Sequence, residues 1–384
     1  MSVGAAAERV APNGRVLGTY DTGRAGPVVV AIAGMHGNEP GGLAASHAVL
    51  HRLGRDRLPL KGSFTAVAGN LTALERGRRY VTRDLNRMWS AEAVERLRAA
   101  DPSRDDSEQV EQRALLELFD DLVRAHGEVV FLDLHSTSGP SAPFHCISDT
   151  LHSRAIALAT PIPLILGIEE AIHGSLLEFM EERGRPLILV EAGQHVAEQT
   201  WRRHEAAVWR ALVTVGSLAP DDVPELATHD AELRSAARGL PSVVEITYRH
   251  AIEPGGGFVM RPGFRNFQQV KRGDMLAEDH RGGIAAPQSG LLLMPLYQAE
   301  GEDGFFIGRP IRRSWLRVST LMRYLQMDHL LPHLPGVRRD PLRPTRLLVD
   351  PHIARWFTVH LFHLCGFRRL ADRGQALVFT RRVE

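Results

Sequence analysis

The chain has 384 residues, 44% apolar and 24% charged, with 46 basic against 45 acidic side chains. That length suits two or three domains with a sizeable core, and the charge balance excludes the basic excess of a general nucleic-acid binder. Its basic residues are 44 Arg and only two Lys, Lys61 and Lys271, and its two cysteines are Cys146 and Cys365, so Schiff-base chemistry, a disulfide framework and a Cys-rich metal site all lack material. Met1 to Arg15 lacks the charged start and apolar core of a secretory signal, and no apolar run approaches the ~20 residues of a membrane span. A cytoplasmic protein with no membrane or nucleic-acid partner is expected.

In chain order, Val28–Ala33 reads as a buried strand, followed by a glycine-rich loop from Gly34 to Gly42 and a helix over 43–53. Phe64–Ala68 is the next strand, ending at Gly69-Asn70. A helix over 108–125 precedes a third strand at Val129–Leu134. A fourth follows at Leu187–Val190, with a closing helix over 198–215. Alternation of apolar runs and helical spacing marks an α/β class with a mixed, mainly parallel sheet and flanking helices. Residues 220–241 read as a connection, polar and acidic with two prolines between 220 and 240. Residues 242–312 are short β-like pieces broken by glycine and proline, a small β domain. Residues 313–384 carry two amphipathic helical stretches and a final strand at 376–379, an extension with no assignable role.

Four segments fall at the C-terminal ends of these strands, the edge where open α/β sheets bind ligands. In Gly34-Met35-His36-Gly37-Asn38-Glu39-Pro40, His36 and Glu39 are close enough on a glycine-rich turn to meet one ion. An isolated H-x-x-E also arises as a plain surface pair. The glycine cage and His135, arriving on a separate strand in Asp133-Leu134-His135, favour a metal. Two His and one carboxylate leave a position open on Zn²⁺, as in catalytic sites. Glu191, directly after the fourth strand, reads as a general base for metal-activated water or as a solvated loop carboxylate, and its segment alone does not decide. From Asn70 to Arg87 arginines are dense. The pair Asn86-Arg87 suits a substrate carboxylate, since the Arg fork binds carboxylate in bidentate fashion, although a solvated basic loop fits too. Asp133 could orient a ligating imidazole or simply bond backbone.

His36-x-x-Glu39, then Asn70 with Arg79-Tyr80 and Asp84-Leu85-Asn86-Arg87, then Asp133-Leu134-His135, then Glu191-x-Gly193, resemble the succinylglutamate desuccinylase/aspartoacylase family, a branch of the zinc carboxypeptidase-like fold. The likeness covers roughly residues 28 to 215, and 242 to 311 are more loosely similar to that family's β domain of barrel-sandwich type. It implies that 1–219 is a zinc hydrolase catalytic domain holding one Zn²⁺ per chain on His36, Glu39 and His135. It implies Glu191 as general base and then acid, Arg79 on the oxyanion, and Asn86 and Arg87 on a substrate carboxylate.

The expected activity is hydrolysis of the amide of a small N-acyl amino acid or related carboxylate. The sequence leaves open a metallocarboxypeptidase acting on peptides, a catalytically inactive zinc-binding protein, and assembly as a homo-oligomer. Aspartoacylases proper carry a further Arg and Tyr shortly before the catalytic Glu, for a second substrate carboxylate. Here that stretch is Glu181–Pro186, where Arg183 or Arg185 would have to substitute and no Tyr accompanies them. The hairpin at 275–284 has no Lys, which argues against a swinging-arm carrier. The β domain instead reads as a cover over the site; Tyr297 and Glu300 lie where they could reach inward, but a core Tyr and a surface Glu are the favoured reading.

Overall fold

The structure, a computed structural model, describes residues 14–350, 352–353, 358–370 and 377–383. Residues 1–13, most of the stretch expected to lack a secretory signal, and Ala376, the first residue of the expected final strand, lie outside the described residues. The chain opens with β1 (Val16–Asp21), β2 (Val28–Ala33), α1 (Gly41–Asp56), β3 (Ser63–Ala68), α2 (Leu71–Arg76), α3 (Ala91–Ala99) and α4 (Ser107–Ala125). It continues with β4 (Val129–Thr137), β5 (Phe144–Ile147), α5 (Leu151–Ala159), β6 (Leu164–Leu166), α6 (Ile168–Ala171), α7 (Leu176–Glu182), β7 (Leu187–Gln194) and α8 (Glu198–Thr214).

β2 is apolar at every position because both of its faces are covered. Side chains alternate along a strand, so Val29, Ala31 and Ala33 join one core cluster and Val28, Val30 and Ile32 the other. The first cluster takes Val49 and Leu53 from α1 and Val208, Trp209 and Leu212 from α8. The second takes Trp89, Leu115 and Phe119, and Phe179 of α7. β3, β2, β4 and β7 lie parallel in that order, so their C-terminal ends share one edge.

α9 (Leu226–Ala236) occupies much of the stretch read as a plain connection. Leu226 and Leu233, two turns apart, are buried, while the residues between them are polar enough to mask the helix. Then come β8 (Val243–Ala251), β9 (Val259–Met260), β10 (Gln268–Val270), β11 (Met275–Asp279), β12 (Gly282–Ala285), β13 (Gly290–Leu293) and β14 (Asp303–Pro310). β8 pairs parallel with β6 and antiparallel with β14, so this region continues the first sheet. Among the described residues that sheet has eleven strands, ordered β1-β3-β2-β4-β7-β5-β6-β8-β14-β13-β10. A second sheet, β12-β11-β9, packs on it around Leu276, Leu292, Phe305 and Ile307.

The tail holds α10 (Arg313–Tyr324), β15 (Val337–Arg339), β16 (Arg346–Val349), α11 (Thr358–Leu364), β17 (Phe367–Arg369) and β18 (Leu377–Arg381). Its strands form a separate antiparallel sheet over a core that includes Leu347, Val349, Phe367 and Phe379. Buried cations fasten it to the rest of the chain. Arg382 reaches Glu169 (2.7 Å) and Glu170 (3.1 Å), Arg368 reaches Glu182 (2.9 Å) and Glu181 (3.3 Å), and Arg323 reaches Asp149 (3.0 Å). The carboxylates belong to the β5–α5 turn and to α6 and α7, and α6 forms part of the wall of the site described next.

Candidate active site

The loop after β2 reaches inward because Gly37 lies against α2 and the turn that follows it. A Cβ on Gly37 would meet the Ala73 carbonyl oxygen at 2.1 Å, so only glycine fits. That contact brings His36 and Glu39 beside the Arg79–Arg87 segment. His135 comes from the end of β4, where the Ser136 N–H donates to Glu39 Oε2 at 2.7 Å. His36 Nδ1 lies 2.8 Å from Glu39 Oε1 and His135 Nδ1 lies 3.2 Å from Glu39 Oε2. All three side chains are buried, and one potential ligand atom from each lies within 4.8 Å of the others.

Behind each imidazole stands an aspartate. His36 Nε2 is 3.1 Å from Asp84 Oδ1, and His135 Nε2 is 2.9 Å from Asp133 Oδ2, without hydrogen-bond alignment in the second case. Carboxylates placed behind histidines in this way orient metal-binding rings. Burial opposes the charge on Glu39, yet His36 and His135 outweigh it and hold the carboxyl well below the usual range. Burial likewise disfavours charge on His135, but Asp133 and Glu39 raise it well above an ordinary histidine. Three buried carboxylates around two rings call for a cation between them. The donor set of two imidazoles and one carboxylate is one that Zn²⁺ takes, so the residues present fit the metal.

Arg79 donates to Asp84 at 2.8 Å and lies 3.7 Å from Glu39. Glu191 lines the same cavity, and its Oε2 is buried without a hydrogen-bond partner. Burial, then repulsion from Glu39, pushes Glu191 up to about 8, while His135 and Arg79 pull the other way. Asn86 Oδ1 accepts from the Leu176 N–H at 2.8 Å, which turns its amide donors elsewhere. Arg87 donates to its neighbour's carbonyl at 2.7 Å and to Asp303 of β14 at 2.6 Å.

The cavity these residues line holds about 130 Å³. Residues 294–303 close one side, with Gln298 accepting from Asn38 Nδ2 at 2.8 Å. A larger space of about 750 Å³ lies between β8, β14 and the tail and shares no residue with it.

The seven residues expected to act as ligands, base, or oxyanion and carboxylate partners (His36, Glu39, His135, Glu191, Arg79, Asn86 and Arg87) all line the small cavity. Tyr297 and Glu300 do not. The Tyr297 hydroxyl donates to the Arg261 carbonyl within the β-domain core, and Glu300 pairs with Arg78. Arg183 stacks on Phe179 and Arg185 donates to the Gly127 carbonyl, so neither takes part. Sequence reading left Asp84 and Asp303 without a role. Asp84 sat inside the matched segment but was masked by its neighbouring arginines. Glu108, another omission, accepts from the Val81 N–H at 2.7 Å and the Thr82 N–H at 2.9 Å, shaping the turn before Asp84.

Residues 25–214 match the family model described as succinylglutamate desuccinylase/aspartoacylase catalytic domain. The fold is similar to that of the succinylglutamate desuccinylase/aspartoacylase from Rhodobacter sphaeroides, at 18% identity and TM-score 0.57 over 76% of this chain and 87% of that one. Succinylglutamate desuccinylase from Vibrio cholerae is similar at 14% identity and TM-score 0.54, covering 78% and 86%. The ectoine utilization protein EutE (DoeB) from Ruegeria pomeroyi is similar at 18% identity and TM-score 0.53, covering 74% and 86%. Among the described residues no helix is long and apolar enough to cross a membrane.

Proposed function

Because this chain belongs to the succinylglutamate desuccinylase/aspartoacylase family, we propose that it is a zinc-dependent amidohydrolase acting on a small N-acyl amino acid or related carboxylate. The observation that carries the reading is the convergence of His36 Nδ1 and His135 Nδ1 on Glu39, with Glu191 lining the same cavity and lacking a partner. His36, Glu39 and His135 would hold one Zn²⁺, which when bound supplies a Lewis acid and lowers the pKa of water towards ~7.

The chain's own groups supply the remaining steps. Glu191 Oε2 accepts the proton of the attacking water, and the same carboxyl returns it to the departing amine nitrogen. Arg79, fixed by Asp84, presents a cation to the oxygen that becomes negative as water adds to the amide carbon. Asn86 and Arg87 orient the substrate carboxylate, and residues 294–303 keep bulk water and long chains out.

The test is amine release by the zinc-loaded chain from a panel of N-acyl amino acids, with peptides bearing a free C-terminus alongside. Turnover of the former supports the reading. Zinc binding with no amine released from any acyl amino acid would overturn it.

A further inference from the structure

The charge inventory of the cavity carries the substrate class further, and this step rests on the amidohydrolase reading above. We propose that the site selects substrates with a single carboxylate and an uncharged remainder, and rejects dicarboxylates. Apart from the histidines, the cations lining the cavity are Arg79 and Arg87. Arg79 is engaged with Asp84 beside the metal ligands. Arg87 shares Asp303 with Arg249 of β8, whose Nε approaches the other carboxylate oxygen. Two guanidinium groups and one carboxylate leave one positive charge at that end of the site. Glu302, 3.8 Å from Arg87 Nε, is exposed, so water screens its charge and leaves that balance in place.

One charge accommodates one substrate carboxylate. No lining cation remains for a second, because Arg183 and Arg185 are spent on Phe179 and on the Gly127 carbonyl. One face of the wall is apolar, formed by Cys146, Ile168, Ile172, Leu189 and Phe306, while Ser136, Thr137, Ser138, His195 and Gln298 line other parts of it. A carboxylate pressed against that apolar face would lose its water and gain no partner, which is strongly unfavourable. A methyl or short branched side chain would instead bury apolar surface there. The wall is also held in place. Ile168 and Ile172 flank Glu169 and Glu170, both gripped by Arg382 of the tail, so a carboxylate cannot simply push it aside.

The experiment uses the full-length zinc-loaded chain. N-acetyl-alanine, N-acetyl-valine and N-acetyl-leucine are compared with N-acetyl-aspartate and N-succinyl-alanine for kcat/KM. The same compounds are then compared for equilibrium binding to zinc-loaded Glu191→Gln. The expected result is a preference of at least about 100-fold for the best neutral compound over either dicarboxylate, in both measurements.

An Ile172→Arg variant, which adds a cation to the apolar wall, should narrow that preference by about tenfold or more. Equal or better handling of the dicarboxylates by the unmodified chain would overturn the proposal. If nothing is hydrolysed, the amidohydrolase reading falls, and the binding order alone then decides the selectivity: tighter neutral monocarboxylates uphold it, and tighter dicarboxylates end it.

Discussion

His135 and Glu191 are register partners across the parallel pairing of β4 and β7. Neighbouring strands lie about 4.8 Å apart, so this register sets a metal-ligand candidate and a proton-transfer candidate side by side at one sheet edge. The spacing comes from backbone hydrogen bonding, the most rigid part of the molecule. The two groups are nonetheless separable by mutation, because both line the cavity but only His135 belongs to the ligand cluster.

Glu191→Gln should therefore leave zinc content near one per chain and lower kcat by about 10²–10⁴-fold. His36→Ala and His135→Ala should lose the metal. Elemental analysis beside amine-release kinetics checks both. Equal zinc in the histidine variants would remove the site assignment.

Asp84→Asn and Asp133→Asn alter what stands behind the rings without touching the three ligand candidates. Each should weaken zinc affinity by about 10–100-fold, measured by competition with a chelator. Asp84→Asn should also depress kcat, since Arg79 loses the carboxylate that fixes it. Asp133→Asn should not, beyond what metal loss explains.

The tail should prove indispensable to stability. Arg382→Ala leaves Glu169 and Glu170 buried beside an empty space, and breaking a buried pair costs about 3–5 kcal/mol. Urea unfolding of the purified variant would show a lower midpoint. A change within experimental error would mean the tail is held mainly by its apolar contacts.

The tail junction should also respond to pH. Burial disfavours charge on His363, but Glu170 and Glu245 override it and raise the ring to about 9, with Arg382 opposing. Arg309 and His360 also face Glu245 there. A folded-state pKa above the ordinary 6.5 stabilises the native form fully below that value. The contribution fades as pH rises through about 9, and is worth about 3 kcal/mol at about 1.4 kcal/mol per pH unit. Unfolding free energies at about pH 6 and about pH 10 should differ less in His363→Gln than in the unmodified chain. An unchanged difference would show that His363 does not carry it.

Much of the catalytic half was legible because its signals are local. Val28–Ala33 is apolar throughout, as a strand covered on both faces must be, and the glycines after it announce a turn. His36, Glu39, His135 and Glu191 each follow such a strand, so topology alone sends them to one edge. The failures were of long-range origin. α9 was hidden because its two buried leucines are legible only with α8 beside them. Tyr297 is a core residue, as its sequence context favours, and its hydroxyl answers backbone carbonyls of its own β region.

The sequence by itself determined the His36–Glu39–His135 cluster, the parallel α/β core and the family likeness, since these depend on residue type, strand periodicity and short spacings. Only the tertiary structure decided which charges remain available. Asp84 occupies Arg79, Asp303 is shared by Arg87 and Arg249 across two β8–β14 strands, and Arg382 closes on α6 from more than two hundred residues away. Charge pairing depends on distance in space and on exclusion of water, and neither is written in the order of residues along the chain.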